Sequence, residues 1–395
     1  MIIQVRKGDT LSYYSMLFHV PLPIIEDSNE IGSTSLQIGQ KLHIPGYTIV
    51  RHHISKGETL YSIAKQYQVP LDSLCLLNPL VDPMTLIEGQ AIDIPRQITG
   101  RSIIGKKEYD YSTLRDDVKL LQEIYPFVKI NTFGYSVMGK ELIQLKWGRG
   151  KKKVHINASF HANEWITTAI LMLFINDYLL NLTTSASILG VNILDLYKNT
   201  TLSVVPMVDP DGVDLVLHGP PKVEPYHHLV MELNKGDSDY SSWKANIRGV
   251  DLNNQFPARW EIEKARKPKN PGPRDYPGDF PLSEPEAKAM AELTKMETFD
   301  RVIALHTQGK EIYWGFERAE PPESKEIVDE FSKWSGYKAI QYLDSYAGYK
   351  DWFIQEWRKP GFTVELGKGV NPLPLSQFDE IYKDTIGIFL ASLYM

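Results

Sequence analysis

The sequence predicts an α/β protein in three parts: two small βααβ modules, then a large domain with a mixed sheet flanked by helices. Three observations carry this reading. A pattern of about fifty residues occurs twice at the start. Strand-like apolar runs then alternate with helical periodicities along the rest of the chain. And 395 residues suffice for two to three domains. With 43% apolar and 23% charged residues the composition is globular. The 43 basic and 49 acidic residues give a net charge of −6, without the basic surplus of a protein devoted to nucleic acid. Cys75 stands alone, so any metal must be held by histidine and carboxylate. No run of about 18 apolar residues occurs, so no membrane span is expected, and 169–175 reads as a buried helix. The N-terminus lacks a basic stretch followed by an apolar one, so no signal peptide and cytoplasmic synthesis are expected.

Lys7-Gly8-Asp9-Thr10-Leu11 recurs 49 residues on as Lys56-Gly57-Glu58-Thr59-Leu60. Val20-Pro21 and Asn29 return at the same offset as Val69-Pro70 and Asn78. Gly39-Gln40-Lys41-Leu42-His43-Ile44-Pro45 returns as Gly89-Gln90-Ala91-Ile92-Asp93-Ile94-Pro95 at an offset of 50, so one residue is inserted after Asn78. Each unit reads as strand, helix, helix, strand. Residues 2–5 and 51–54 are short β-prone openings, and Asp9/Thr10 and Glu58/Thr59 then start a helix. Leu60, Ile63, Ala64 and Tyr67 fall on one helix face. Ile92 and Ile94 alternate before Pro95 closes the last strand. The two units, 1–46 and 49–96, resemble LysM modules. The resemblance implies binding to N-acetylglucosamine-containing glycan, the backbone of peptidoglycan or chitin. The groove would be lined by Gly8, Asp9, Thr10 and Leu11 with 38–40, and by Gly57, Glu58, Thr59 and Leu60 with 88–90. The first copy departs, with Ser12-Tyr13-Tyr14-Ser15 against Tyr61-Ser62-Ile63-Ala64.

Residues 95–100 read as a linker and 101–395 as one domain. Ser112 is placed to cap a helix through Leu114, Val118, Leu121 and Ile124. Strands are expected at 142–146, 153–160, 201–205 and 301–305. Ser283-Glu284-Pro285-Glu286 has the pattern of a capping box, opening a helix through Ala287, Met290 and Leu293. Gly134-Tyr135-Ser136-Val137-Met138-Gly139-Lys140 fits the spacing of a phosphate loop. Glu141 follows where Ser or Thr must hold Mg²⁺, so nucleotide binding is rejected.

The chemistry centres on His161-Ala162-Asn163-Glu164, after the strand at 153–160, where α/β sheets place their sites. His306 follows a second apolar strand. Glu365 sits in Phe362-Thr363-Val364-Glu365-Leu366, where a carboxylate is costly enough to imply a functional partner. Two histidines and a glutamate around Zn²⁺ leave one open position, whose water the metal acidifies. The H-E-x-x-H signature is absent, so the architecture is not the thermolysin-like one.

Those residues join an ordered set: Gly134-x-Ser136-x-x-Gly139-Lys140, His161-x-x-Glu164-Trp165, Asp209-Pro210-Asp211-Gly212, Arg248-Gly249-Val250-Asp251-Leu252-Asn253, Ser283-Glu284-Pro285-Glu286, His306 and Glu365. The set resembles the zinc carboxypeptidase family over most of 109–395. The resemblance implies one Zn²⁺ held by His161, Glu164 and His306, with Glu365 as general base. Asp251 would orient His161, and Asn253 would help hold a substrate carboxylate. Arg248 would stabilise the oxyanion, with Lys244 as its rival. Family exopeptidases clamp a terminal carboxylate with arginines where this chain has Asn163 and Asn254, so simple free-C-terminus specificity is in doubt. Lys350 falls where the family sets side-chain preference and implies an acidic or zwitterionic group. Tyr346 or Tyr349 would serve as the cleft tyrosine. The loop 264–276, rich in Lys, Arg, Pro and Gly, reads as a solvated excursion near the cleft.

Glycan-binding modules joined to a zinc peptidase point to peptidoglycan, which carries both sugar and peptide. The combination resembles the γ-D-glutamyl-meso-diaminopimelate peptidases of spore-forming bacteria and implies action at the cell wall or spore. One alternative is an inactive wall-binding protein, disfavoured by the intact ligands and base. The other is a zinc amide hydrolase of small acyl amino acids, for which two wall modules have no use. No nucleic-acid or membrane partner is expected.

Overall fold

The computed structural model describes residues 1–32 and 36–395. Both repeats fold as βααβ. In the first, β1 (Ile2–Gln4) pairs antiparallel with β2 (Lys41–His43), with helices Leu11–Phe18 and Leu22–Ser28 between them in the chain. In the second, β3 (Tyr47–His53) pairs with β4 (Ala91–Gln97), with helices Leu60–Tyr67 and Leu71–Leu77 between. The Thr10 and Thr59 hydroxyls cap the first helices, accepting from the N–H groups of Tyr13 at 3.1 Å and Ser62 at 3.0 Å. Leu60, Ile63 and Ala64 are buried together, with Tyr67 packed at the edge, as the periodicity predicts. β4 runs past Pro95 and pairs Arg96 and Gln97 with Thr48 and Tyr47. The expected linker therefore begins as strand.

Packing does not divide the chain at residue 100. One unit gathers 1–102 with 118–129 and 176–195, and the other holds 103–117, 130–175 and 196–395. Within the first, the Gly46 N–H donates to the Ile124 carbonyl at 3.0 Å, and Arg101 pairs with Asp177 at 2.6 Å. Segments from later in the chain thus complete the unit that holds the repeats.

The second unit is organised by a mixed eight-stranded sheet. Its first strands are β5 (Lys129–Tyr135), β6 (Glu141–Trp147) and β7 (Lys152–Asn157). After the small hairpin of β8 (Ser187–Ile188) and β9 (Val191–Asn192), which belongs to the first unit, come β10 (Thr200–Val205) and β11 (Arg301–Thr307). Then follow β12 (Glu311–Tyr313), β13 (Lys338–Ile340) and β14 (Gly361–Leu366). The spatial order is β13-β12-β14-β11-β7-β10-β6-β5. β10, β7, β11 and β14 run parallel, while β6 and β12 pair antiparallel with β10 and β14. Every residue of β11 is buried, as expected for a central parallel strand covered on both faces. Helix Ile166–Thr183 has the length and apolar composition of a membrane span, but its most apolar stretch is 89% buried inside the fold. It is a core helix.

Two expected caps differ. Asp110, not Ser112, receives the Thr113 N–H at 2.8 Å ahead of helix Tyr111–Ile124. The box at 283–286 does not close, because Glu284 is the N-cap of helix Pro285–Glu297 and Glu286 falls one position too early. Glu286 is instead fully buried, and its carboxylate accepts from the Val137 N–H at 2.8 Å.

Burial pushes the Glu286 carboxyl up from its usual 4.5 to about 8, against the opposing Val137 N–H and with Asp211 and Glu284 adding to the shift. Between those two values the folded protein holds a proton that the unfolded chain releases, so stability falls as pH rises through that window. Glu286→Gln keeps an acceptor for Val137 but cannot ionise. Thermal melts from pH 5 to pH 9 should show a shallower loss of Tm for this variant. An unchanged slope would assign the pH dependence to other groups.

Candidate metal centre and substrate cleft

The chain leaves β7 and makes a short 3₁₀ turn, Ala162–Glu164, which returns Glu164 towards His161. Helix Pro210–His218 packs onto this turn, capped by Asp209, whose carboxylate accepts from the Gly212 N–H at 3.0 Å. A Cβ at Gly212 would lie 2.7 Å from the Ala162 Cβ, so glycine is required for the close approach. His306 lies near the end of β11 and is the register partner of Glu365 in β14. Partnered residues project from the same sheet face, so both side chains reach one place.

There His161 Nδ1 lies 2.8 Å from Glu164 Oε1, and His306 Nδ1 lies 3.0 Å from Glu164 Oε2. The two Nδ1 atoms are 3.1 Å apart. All three residues are buried, and their donor atoms form a compact group. Nitrogens that face each other this closely cannot both carry protons, whereas a cation satisfies both lone pairs and the carboxylate together. The donor set therefore fits Zn²⁺. His161 Nε2 meets Asp251 Oδ1 at 3.2 Å, which fixes the orientation of the ring. Burial works against a charge on His161, yet Glu164 and Asp251 outweigh it and raise its pKa. Glu365 stands at the cavity wall, where burial pushes its carboxyl up to about 8 and the charge of Glu164 adds to the rise.

Of the two rival cations, Lys244 lies at this centre and Arg248 does not. Its Nζ lies 2.8 Å from Asp251 and 3.2 Å from Asp275, and it lines both cavities that open at the site. Arg248 is exposed, lines neither cavity and makes a long 3.6 Å pair with Glu284. Its side chain turns to solvent.

One cavity, of about 180 Å³, reaches from His161, His306 and Glu365 to Asn253, Asn254, Lys350 and Asp351. The other, about 440 Å³, is lined by Asn163, Ser242, Arg274, Gln308 and Val370. His161, Lys244, Tyr313, Leu343 and Glu365 are common to both, so the cleft continues on two sides of the metal centre. Asn253 also accepts from the Tyr349 N–H at 3.0 Å. Lys350 is buried, pairs with Asp351 at 2.5 Å and donates to the Gly315 carbonyl at 2.9 Å. It presents an ion pair to the cavity, not a bare charge.

Neither expected tyrosine lines these cavities. Tyr349 is fully buried, with its hydroxyl 2.9 Å from that of Thr294, and Tyr346 packs under Arg266 and against Phe316. The cleft tyrosine is Tyr313 on β12, whose hydroxyl donates to Glu311 at 2.7 Å. No motif surrounds it in the sequence. It reaches the site because β12 returns antiparallel beside β14. Lys267 and Arg274 also line the cleft, so part of the loop at 264–276 belongs to the site.

In the repeats, several side chains assigned to the glycan groove serve the fold. Asp9 accepts from Arg6 at 2.9 Å and from the Tyr14 hydroxyl at 2.6 Å. Glu58 accepts from the Ser55 N–H at 2.7 Å and meets His52 at 2.9 Å. Thr10 and Thr59 are caps, Leu11 is half-buried and Leu60 lies in the core. Gly8 and Gly57 remain exposed, at φ 88° and 83°, with open space where a Cβ would stand.

Residues 115–386 match the zinc carboxypeptidase family, and the chain belongs to it. Residues 3–45 and 52–95 match the LysM domain. Among relatives, the chain is 52% identical over 396 residues, all of both proteins, to gamma-D-glutamyl-L-diamino acid endopeptidase 1 of Lysinibacillus sphaericus. It is 42% identical over 94% of both chains to the uncharacterized protein YqgT of Bacillus subtilis (strain 168). Bovine thrombin-activatable fibrinolysis inhibitor in complex with tick carboxypeptidase inhibitor shares the fold. The TM-score is 0.58 at 19% identity, covering 73% of this chain and 97% of that one.

Two substitutions separate metal binding from proton transfer. His306→Ala should release zinc, read by elemental analysis, and abolish hydrolysis. Glu365→Gln should retain zinc and lower kcat by about 10²–10⁴-fold, the usual worth of a general base. Full zinc in the first variant or near-normal kcat in the second would move the corresponding role elsewhere.

Proposed function

We propose that the chain hydrolyses the amide between γ-D-glutamate and diaminopimelate in peptidoglycan stem peptides, while its LysM repeats hold it to the glycan. The observation that carries this is the end-to-end similarity to a gamma-D-glutamyl-L-diamino acid endopeptidase, with the ligand triad and Glu365 intact and converging. A cleft that continues on both sides of the centre suits a substrate extending beyond the scissile bond in both directions. The absence of arginine at Asn163 and Asn254 agrees with it. The buried Lys350–Asp351 pair matches the far end of diaminopimelate, which is itself a carboxylate beside an ammonium.

His161, Glu164 and His306 would hold one zinc ion. When bound, it supplies a Lewis acid that polarises the scissile carbonyl and acidifies a water. Glu365 takes the proton from the attacking water and is placed to pass it to the leaving nitrogen. Lys244 brings positive charge to the site where negative charge develops on the carbonyl oxygen. Asp251 keeps the His161 ring aimed, and Asn253 and Asn254 position the diamino acid. The exposed turns at Gly8 and Gly57 give a glycan close access to backbone groups.

Mass spectrometry of purified muropeptides after incubation tests the bond directly. New fragments should end in D-glutamate and begin with diaminopimelate. Loss of a C-terminal residue alone would replace this reading with an exopeptidase. The Glu365→Gln protein should still sediment with intact sacculi, and soluble N-acetylglucosamine oligomers should compete. Binding that ignores such oligomers would remove the glycan role of the repeats.

A further inference from the structure

The larger cavity contains a basic group that the mechanism leaves unused. Arg274 lies on the loop 264–276 and lines the cavity together with Asn163. Its Nε donates to Asp275 at 3.2 Å, the only hydrogen bond it makes among the described residues. Asp275 is shared with Lys244, at 3.2 Å. Lys244 is matched by two carboxylates, Asp251 and Asp275, whereas the terminal nitrogens of Arg274 remain free to donate. Asn163 is buried and its Nδ2 donates to the Ser242 carbonyl at 3.5 Å, so Arg274 is the cation on this wall of the cavity that is left with free donors. A guanidinium with uncommitted parallel N–H groups is the usual partner of a planar carboxylate.

The chemistry of a γ-linked glutamyl residue supplies such a carboxylate. Its side-chain carboxyl forms the scissile amide, so its α-carboxylate remains free a short methylene chain away, on the acyl side. An α-linked peptide offers a charge at that distance only where the acyl residue is itself acidic. The smaller cavity already holds the groups suited to the diamino acid, which leaves the Arg274 side for the acyl portion.

We propose that Arg274 binds the α-carboxylate of the γ-glutamyl residue and so selects an unamidated glutamate. The inference rests on the hydrolysis proposed above and adds the residue that recognises the acyl side. Arg274 is 60% exposed at its side chain, so replacing it leaves the core intact.

The test measures kcat and KM on two soluble stem peptides that differ only in whether the glutamyl α-carboxylate is free or amidated. The wild-type protein should prefer the free acid by about 10–10²-fold in kcat/KM, the range of a charge-assisted contact. Arg274→Ala should lose most of that preference, through a higher KM on the free acid that exceeds any change on the amidated peptide, with zinc content unchanged. Arg274→Lys should recover part of it, since lysine restores charge without the planar fork. A wild-type protein indifferent to amidation, or an Arg274→Ala variant that keeps the wild-type ratio, would overturn the subsite alone. Cleavage of neither peptide would overturn the proposed hydrolysis and this inference with it.

Discussion

Two imidazole nitrogens held 3.1 Å apart in a buried pocket set the constraint for the catalytic unit. Burial removes water from His161, Glu164 and His306, so their polar atoms must be satisfied from within. The surroundings are arranged for a cation between them. Asp251 meets the outer nitrogen of His161, and the Thr307 N–H and Asn371 amide reach Glu164 at 3.2 and 3.4 Å. This fixes the sheet register. β11 and β14 must pair so that His306 stands beside Glu365. A slip of one residue would send Glu365 to the opposite face.

From that centre, contacts between acidic and basic side chains run outward. Glu164 faces His161, His161 faces Asp251, and Asp251 faces Lys244 at 2.8 Å. Lys244 faces Asp275, which faces Arg274, both at 3.2 Å. Each link offsets part of the desolvation cost of its neighbour, which an isolated buried charge would bear in full. The chain of charges also couples the loop at 264–276 to the metal end of the cleft. A surface excursion thereby becomes a wall of the site.

The convergence of His161, Glu164, His306, Glu365 and Asp251 is legible in the sequence because each is tied to a strand end or a glycine-bearing turn. Backbone geometry then dictates where the side chain goes. Gly212 beside Ala162 is one such tie, and Gly249, at φ 74° and close to Gly272, is another. Arg248 shares that second turn, yet its long side chain can leave in several directions, and the turn does not decide among them. Tyr313 was invisible for the complementary reason. It owes its position to β12 pairing with β14 across more than forty residues of intervening chain, and no local pattern encodes such a contact. Tyr349 misled because its own hydrophobic neighbours, including Phe160 and Trp352, draw it into the core.

In the repeats, periodicity revealed every element, but the two copies differ where they touch. Arg6 and Tyr13 stand where the second copy has Ser55 and Ser62, at the repeat's offset of 49. Both reach Asp72, whose first-copy counterpart is Pro23. Arg6 grips both carboxylate oxygens of Asp72, at 2.7 and 2.6 Å, and the Tyr13 hydroxyl donates to one of them. Only Ile44-Pro45-Gly46 separate β2 from β3, and β3 is paired along its whole length with β4. Tandem modules on a flexible linker gain avidity according to linker reach. Here a three-residue connection and the partly exposed Arg6–Asp72 pair bring the two modules into contact, so reach is set by packing between them as well as by the connection.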